Sequence, residues 1–466
     1  MHLKSVICTS KIRRLSLISI AVVSLGAVCF SQSISLSRDF GPPTINVGVS
    51  GNGFPANTTI LIYFGAKLEN QVVSNASGSF SNLSITVPAS ALPGTYLILA
   101  VPLGQHTGTP AQFQVLTPWA QFHFDASHSG LNLYENELSV RNVSNLSVLW
   151  NFSTANFVES SPAVPNGTLY VGSNDHTFYA LQASTGALLW SYTTSGLVTS
   201  APAVAYTSAY VGSNDDNVYA LNANTGVLQW KFTTGGAVTS SPSVAAGTVY
   251  IGSEDSKVYA LNATTGVLLW SYKTGGAVLS SPAVSAGVVY IGSADSNIYA
   301  LNAKTGTLMW QHATGAGVSS SPALVNGVAY VGSNDNSVYA LSASKGTLLW
   351  KYTTGGPVSS TPALANQVVY VGSNDSNLYA LDANKGTLRW KYTTGGAVAS
   401  SPAVANGVLY VGSFDSNVYA LNASTGAFLW KYTTGSAITS SPAVANGTLY
   451  IGSKDANVYA FHLSDP

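Results

Sequence analysis

The chain has 466 residues, only 8% of them charged, and its formal net charge is zero. Its length exceeds what one ordinary core holds, so two or more structural units are expected. The sequence contains no basic run, which argues against nucleic acid as the main partner, and the abundance of Gly, Ser, Thr and Asn is typical of an all-β protein with many tight turns.

Residues 1–33 are predicted to be an export signal. Lys11, Arg13 and Arg14 precede an apolar run over residues 15–30, and small residues follow it. The run is shorter than the roughly 20 apolar residues of a membrane span, but an uncleaved anchor stays an alternative. We therefore expect an extracytoplasmic protein, whether secreted, periplasmic or on the cell surface, with membrane contact only through an uncleaved signal.

The cysteines lie in this leader. Cys8 and Cys29 are the only two in the chain, so the mature protein has neither a disulfide nor a thiolate metal site. Cys29 suggests a lipoprotein signal, but Val28 precedes it where a small residue is expected, so lipidation is not predicted. The first 33 residues carry four basic side chains and no acid, and their removal leaves four more acidic than basic residues.

Residues 34–117 contain short runs of alternating or apolar residues separated by Gly, Asn and Pro turns, which predict a small β-sandwich. The sequence Gly-Asn-Gly-Phe-Pro-Ala-Asn at 51–57, followed by Gly-Ser-Phe at 78–80 and Pro-Gly-Thr-Tyr at 93–96, resembles immunoglobulin-like modules of bacterial surface proteins. Residues 118–145 are predicted to connect this sandwich to the rest of the chain.

From residue 146 to the C-terminus a forty-residue unit recurs eight times without insertion or deletion, which is the signature of stacked supersecondary units. A proline recurs at the same interval from Pro162 to Pro442. A tryptophan also recurs, at Trp150, Trp190, Trp230, Trp270, Trp310, Trp350, Trp390 and Trp430.

Each unit predicts one four-stranded antiparallel sheet. In one copy the strands are expected at 398–404, 408–413, 418–422 and 428–433, with turns between them. Such a sheet is apolar on both faces, and eight of them arranged radially bury both, so we predict an eight-bladed β-propeller. The alternative, an open solenoid, needs polar capping repeats, and none is present. The last copy lacks its fourth strand, which the strand around Trp150 supplies, closing the ring.

The recurrent tryptophans have two interpretations. They could form a stacking platform for ligands, or each could dock between neighbouring blades. The docking role is preferred because every blade needs the same contact.

The run from Ala420 to Trp430, with Asn422, Thr425 and Gly426 between them, resembles the tryptophan-docking motif of quinoprotein propellers. It recurs in seven copies, with departures at Gln182, Ser342, Lys345 and Lys385. Residues 119–125, Gly130 and residues 142–150 are similar to the segment that precedes the propeller in such proteins. The chain is thus identified as a member of the pyrroloquinoline quinone (PQQ)-like repeat superfamily, which implies an eight-bladed propeller.

In the dehydrogenases of that superfamily the resemblance implies a quinone in the central funnel, calcium held by acidic and amide side chains, a catalytic Asp and often a vicinal Cys pair. The chain departs from this pattern because it has no mature cysteine and no large blade insertions. A catalytic site needs different residues in different blades, whereas these blades are nearly interchangeable. We therefore predict no catalytic, cofactor-binding or metal-binding residue.

Four recurrent or isolated groups are candidates for chemistry. A serine recurs from Ser160 to Ser440; it could line the channel as a ring of hydroxyls or, as we prefer, be a small residue that fits a crowded axis. Glu159 is the lone acid at its repeat position. An aspartate recurs from Asp175 to Asp455, where it could attract cations or, as we prefer, cap its own turn. His123 and His128 lie close together but have no carboxylate cluster beside them.

The sequence favours a monomeric, non-enzymatic, exported propeller that binds a protein or cell-envelope ligand, since family relatives without the quinone site serve as assembly scaffolds. The proposed contacts lie on the face where one loop position differs from blade to blade while the rest of the repeat is nearly constant. The residues at this position include Asn174, Glu254, Ala294, Phe414 and Lys454. A PQQ-dependent dehydrogenase with calcium is the first alternative. A carbohydrate-binding surface protein is the second.

Overall fold

The computed structural model describes residues 31–464 of the chain, so Cys8, Cys29 and most of the predicted export signal lie outside the described residues. Within residues 31–464 no helix is long and apolar enough to cross a membrane. The prediction of an all-β protein is confirmed, because apart from one short 3₁₀ turn at Val143–Asn145 every regular element is a strand.

Residues 33–115 form a β-sandwich. One sheet has the order β1-β3-β6 and the other β2-β8-β7-β4-β5. Alternate residues point into the space between them, as Ile60, Ile62 and Phe64 do on β4. The immunoglobulin-like assignment of this unit stays a prediction. Its strands are β1 Ser33–Leu36, β2 Phe40–Gly41, β3 Asn46–Asn52, β4 Thr59–Phe64, β5 Lys67–Val73, β6 Phe80–Thr86, β7 Gly94–Pro102 and β8 Thr109–Val115.

Residues 146–463 form eight sheets, here numbered blades 1 to 8, and the prediction of a β-propeller is confirmed. The first four blades have regular hairpin connections. Blade 1 contains β11 Thr168–Gly172, β12 Thr177–Gln182 and β13 Leu188–Thr193; blade 2 contains β14 Ala203–Ala205, β15 Ser208–Gly212, β16 Asn217–Asn222 and β17 Leu228–Thr233; blade 3 contains β18 Ser243–Ala245, β19 Thr248–Ser253, β20 Lys257–Asn262 and β21 Leu268–Lys273; blade 4 contains β22 Ala283–Ser285, β23 Val288–Gly292, β24 Asn297–Asn302 and β25 Leu308–Ala313.

The last four blades repeat this pattern, with two strands added from earlier in the chain. Blade 5 contains β26 Ala323–Val325, β27 Val328–Ser333, β28 Ser337–Ser342 and β29 Leu348–Thr353; blade 6 contains β30 Ala363–Ala365, β31 Val368–Gly372, β32 Asn377–Asp382 and β33 Leu388–Thr393; blade 7 contains β34 Ala403–Ala405, β35 Val408–Gly412, β36 Asn417–Asn422, β37 Phe428–Thr433 and, beside β34, β9 Leu131–Asn132; blade 8 contains β38 Ala443–Ala445, β39 Thr448–Ser453, β40 Asn457–Leu463 and β10 Leu146–Ser153.

The innermost strand is shorter than predicted. Residues 398–404 were expected to form one strand, but only Ala403–Ala405 pairs with the next strand, and blade 1 keeps a single bridge between Ala163 and Tyr170. Each unit has a proline just before this short strand, at the position of Pro402. Because proline has no N–H to donate to a ladder, it explains the shortening.

The ring is joined at blade 8, where β10 pairs antiparallel with β40 over Leu146 to Ser153. The outer strand of this blade therefore comes from the beginning of the propeller, and its inner three strands come from the end.

Each recurrent tryptophan packs against the following blade. The indole N–H of Trp390 donates to the carbonyl of Ala423, 3.1 Å away, and Trp430 donates to Leu146 at 3.0 Å across the joint in blade 8. A glycine lies under seven of these rings, those of Trp150 to Trp390: Gly386 has φ 68°, and a Cβ there would lie 2.6 Å from Trp350 Cδ2. These contacts explain why the Thr-Gly and Trp positions recur together.

Candidate binding face at the channel mouth

The propeller has two different ends. We call the end formed by residues 154–161 and 173–176 and their equivalents at forty-residue intervals the loop face. We call the end formed by residues 165–167 and 183–187 and their equivalents the turn face.

The connector covers the innermost strands on the turn-face side. Its backbone carbonyls accept N–H groups from one blade after another: Trp119 from Val164, Ala120 from Val204, Ala126 from Val284, Ser127 from Leu324, Ser129 from Leu364 and Gly130 from Val404. The Gln121 side chain accepts from Val244, and Asn132 donates to the carbonyl of Val444. This segment satisfies strand edges that would otherwise be unpaired.

Two buried histidines hold the connector in place. Both ring nitrogens of His123 lie 2.9 Å from carbonyl oxygens, of His128 and Pro402, and His128 Nδ1 lies 3.2 Å from the carbonyl of Pro322. The two acceptors around His123 suit an imidazolium, but burial outweighs them and lowers its pKa. Burial also lowers the pKa of His128, to about 3. Both rings are therefore neutral anchors at neutral pH.

The sandwich also lies on this side of the propeller. The side-chain amide of Asn136 in the connector donates to the carbonyls of Ala89 and Ala91 in the sandwich. A cleft of about 400 Å³ between the two units is lined by Gly94 and Leu116 on one side and by Gly167 and Ser184 of the turn face on the other. Among residues 31–464, no hydrogen bond joins the sandwich or the connector to a loop of the loop face.

The loop face opens into an axial cavity of about 190 Å³ walled by hydroxyls. At its wall, seven backbone N–H groups each donate to a side-chain hydroxyl of the next blade at 2.8–3.4 Å: Ala201 to Ser241, Ser241 to Ser281, Ser281 to Ser321, Ser321 to Thr361, Thr361 to Ser401, Ser401 to Ser441 and Ser441 to Ser161. The equivalent bond from the N–H of Ser161 to the side chain of Ala201 is not formed, because alanine has no hydroxyl. The ring links the innermost segments of consecutive blades.

The serines considered as a possible channel lining do not line the cavity. Ser160 is fully buried and its hydroxyl accepts the N–H of Gly172 at 3.0 Å, as the other serines of this series do within their own blades. The side chains that reach the cavity are those one position earlier and later, such as Glu159 and Ser161. Side chains alternate in an extended segment, so the lining set was misassigned by one residue.

The recurrent aspartates tie the loops together. In the turn of blade 7, Asp415 accepts the N–H of Asn417 at 3.0 Å, which is the predicted turn cap. It also accepts the Tyr419 hydroxyl at 2.6 Å and the N–H of Gly395 at 2.6 Å. Tyrosine bonds of this kind occur in all eight blades. The sequence argument missed the tyrosine and the neighbouring loop, although the tyrosine recurs four residues after the aspartate.

These bonds shift the proton affinities of both partners. Burial would raise the pKa of Asp415, but the bonds from Tyr419, Asn417 and Gly395 outweigh burial and lower it. Burial and the bond to the carboxylate raise the pKa of the tyrosines, to about 12 for Tyr179. Asp415 is therefore an ionised structural clamp.

Glu159 stands at the centre of an asymmetric network on the cavity rim. Its two oxygens lie 2.8 Å from Lys454 Nζ and 2.7 Å from Asn174 Nδ2. The Lys454 ammonium also lies 5.5 Å from the centre of the Phe414 ring. Burial alone would raise the pKa of Glu159, but the hydrogen bonds from Lys454 and Asn174 outweigh it and lower the pKa. The carboxylate is thus ionised and paired.

The structure brings three of the five predicted loop residues together, since Asn174, Phe414 and Lys454 all belong to this network. Glu254 and Ala294 are exposed on blades 3 and 4 and lie outside it. Asn174 was expected to be exposed, but it is buried, because its side chain turns inward to Glu159.

The two ends of the propeller differ in charge. The loop face carries Lys454 and His176 together with Asp175, Asp215, Asp216, Glu254, Asp255, Asp295, Asp335, Asp375, Asp415, Asp455 and Glu159. On the adjoining strands, Lys257 and Lys351 pair with Asp255 and Asp335. Within residues 31–464 the turns of the turn face carry Lys304, Lys345 and Lys385 and no acid. An incoming partner therefore meets a negative potential at the loop face.

The residues around the cavity do not fit a calcium-bound quinone. Calcium takes six to eight oxygen ligands, including carboxylates. The cavity wall offers one carboxylate, Glu159, and Lys454 and Asn174 already occupy it. Across residues 31–464 no three His, Cys, Asp or Glu side chains are grouped so that they could hold one metal ion.

Comparison with known proteins places the propeller. The model of the family described as outer membrane protein assembly factor BamB matches residues 137–240, 217–323 and 310–465. A search of curated proteins finds no match.

Solved structures share the fold at low identity. BamB from Moraxella catarrhalis is 19% identical with a TM-score of 0.61, over 68% of this chain and 99% of that one. A europium-containing methanol dehydrogenase is 17% identical with a TM-score of 0.65, over 74% and 98%. Quinohemoprotein alcohol dehydrogenase from Comamonas testosteroni is 16% identical with a TM-score of 0.66, over 75% and 81%. Both a protein assembly factor and oxidoreductases therefore use this architecture, and the fold alone does not choose between them.

Proposed function

Since the chain belongs to the family described as outer membrane protein assembly factor BamB, we propose that it is an exported, non-enzymatic propeller that binds a protein partner at the cell envelope. The observation that carries this proposal is the contrast between the two ends of the propeller. The turn face lies on the side of the connector and the sandwich, whereas the loop face is open and holds the blade-specific side chains.

The uniform frame supports a binding role over catalysis. Eight nearly identical blades supply serines, glycines and clamped aspartates. Glu159 is the one acid at its repeat position on the cavity rim, and it is already paired with Lys454. A catalytic base or nucleophile needs a free group beside a substrate position. A binding surface needs only a rigid frame with a few distinctive contacts.

The proposal is tested by photo-crosslinking in the cells that produce the protein. A photoreactive residue in place of Phe414, which is 44% exposed on the loop face, should trap the partner. The matched control replaces Lys304 on the turn face. Crosslinks from both positions in equal yield, or from position 304 alone, would contradict a partner surface on the loop face.

A quinone-dependent dehydrogenase is the competing hypothesis, because two of the solved structures with this fold are alcohol or methanol dehydrogenases. The rim network argues against it, since a quinone with calcium would have to displace Lys454 from Glu159. Titration with PQQ and calcium, followed by dye reduction with alcohols, distinguishes the two. A stoichiometric absorbance change with activity would overturn the scaffold proposal. The carbohydrate-binding alternative stays a hypothesis, for which Phe414 is the exposed aromatic residue to test on glycan arrays.

A further inference from the structure

We propose that the channel mouth on the loop face binds a basic side chain, an arginine or lysine, which the protein partner presents and which takes the position now held by Lys454 beside Glu159. This inference rests on the proposed protein-binding function and names the chemistry of the partner.

Lys454 shows what a cation meets at this place. Its ammonium lies 2.8 Å from Glu159 Oε1 and 5.5 Å from the centre of the Phe414 ring, so it has both an ion pair and a cation–π contact. Its side chain is 24% exposed, and it projects from a loop of blade 8, whereas Glu159 belongs to blade 1. The lysine can therefore swing out to solvent without breaking any strand pairing.

The surroundings of Glu159 hold further acceptors without a donor. Asn174 is 8% exposed, and its side-chain oxygen is buried with no hydrogen-bond partner among residues 31–464. Thr439 Oγ1 is in the same condition. Thr439 and Glu159 both line the axial cavity, and Asn174 is bonded to Glu159. A guanidinium has five N–H donors and no acceptor, so it can satisfy several oxygens of this kind at once.

The shape of the cavity suits a long basic side chain. Leu279, which is 41% exposed, lines the rim three blades away from Glu159. It offers an apolar contact to the methylene stem while the charged head reaches the carboxylate. The volume of about 190 Å³ holds one side chain rather than a folded segment.

The charge of the whole face favours a cation over an anion. The hydroxyl ring could donate to an anionic group, but such a group would approach through the ring of loop carboxylates and would meet Glu159 at the rim. A basic group is attracted by the same carboxylates at long range and is then held by Glu159 at short range.

The test measures binding of a dye-labelled hexa-arginine peptide by fluorescence anisotropy at about 0.15 M salt, where long-range attraction is largely screened. Hexaglutamate and a Gly-Ser peptide serve as charge controls. Glu159→Gln should weaken hexa-arginine binding at least about tenfold, since a hydrogen bond to a charged group is lost. Glu254→Gln, which removes one acid elsewhere on the same face, should change it less than about twofold.

The lysine supplies a second, opposite test. Lys454→Met removes the internal competitor and should strengthen binding several-fold, whereas Lys257→Met, on the same side of the propeller but paired with Asp255, should not. The double variant E159Q/K454M has the same net charge as the wild type. A purely diffuse field predicts wild-type affinity for it, and our proposal predicts the weak affinity of E159Q.

Equal losses in E159Q and E254Q, no gain in K454M, or wild-type affinity in the double variant would each overturn the inference. Unfolding midpoints of all variants establish that they are folded, and K454M serves alone if E159Q does not fold. Crosslinking from position 414 that persists unchanged in E159Q would leave the protein-binding proposal standing and remove only the basic side chain as its chemistry.

Discussion

Tyr410 offers a sharp test of how the ring is joined. In six blades the tyrosine at this position donates its hydroxyl to a carbonyl 53 residues later, as Tyr370 does to Ala423 at 2.9 Å. In blade 8 Tyr450 donates to the carbonyl of Ala183 in blade 1. In blade 8 the equivalent residue, Leu463, belongs to strand β40 rather than to a turn. Tyr410 is fully buried, and its hydroxyl has no partner within residues 31–464.

Substituting phenylalanine should have opposite effects at the two sites. Tyr370→Phe loses one buried hydrogen bond and should lower the free energy of unfolding by about 1 kcal/mol, while the Ala423 carbonyl keeps its bond from Trp390. Tyr410→Phe removes a buried polar group that has no partner, which costs about 1–3 kcal/mol when left unsatisfied, so the variant should be about 1 kcal/mol more stable than the wild type.

Urea titrations followed by tryptophan fluorescence measure both variants, and equal m values allow the midpoints to be compared directly. The two substitutions change the same atom in the same repeat position, so the difference between them isolates the joint in blade 8. Equal destabilisation by Y410F and Y370F would show that the Tyr410 hydroxyl has a partner, and the reasoning about the joint would be wrong.

Three further predictions follow from the packing and the charges. Folding lowers the pKa of His128 from 6.5 to about 3, so between these pH values the unfolded chain binds a proton that the folded chain does not. The free energy of unfolding should therefore rise with pH in this range by up to about 1.4 kcal/mol per pH unit. His128→Gln should flatten the slope of urea midpoints against pH, and an unchanged slope would refute the assignment. Gly386→Ala should lower the free energy of unfolding by about 1–3 kcal/mol more than Gly327→Ala does. Both glycines have a positive φ, but only a Cβ at position 386 would contact an indole ring. Equal losses of stability would exclude the indole contact. Deleting residues 458–466 removes most of β40 and should open the ring, with a clear fall in melting temperature, and an unchanged temperature would contradict closure through that strand.

The blades were predictable because their signals are local and repeated. A tryptophan, a Thr-Gly pair and a proline at a constant interval define where strands begin and end, and the incomplete last unit points to the strand around Trp150 as its complement. The lengths of the innermost strands were not predictable from apolar runs. Their first residues, such as Val398, are buried, but Val398 makes a single backbone bond to the carbonyl of Ser373 and belongs to no strand.

The connector itself was predicted, but its bonds to the blades and the rim network were missed, for different reasons. The connector bonds the blades mainly through backbone carbonyls, which leave no pattern of side chains in the sequence. Glu159 was noticed as an isolated acid, and Lys454 as one of several variable loop residues. Nothing in the sequence links them, because they lie at opposite ends of the repeat array and become neighbours only when blade 8 meets blade 1.

The strand pairing of β10 with β40 sets the order in which the molecule can be completed. Blades 1 to 7 are each built from nearby residues, apart from β9 at the inner edge of blade 7. The circle can close only after residues 457–463 have been made, when they capture a strand synthesised some three hundred residues earlier. Until then the growing chain is an arc with a free β-edge at each end, so its exposure to wrong partners is greatest just before it is finished.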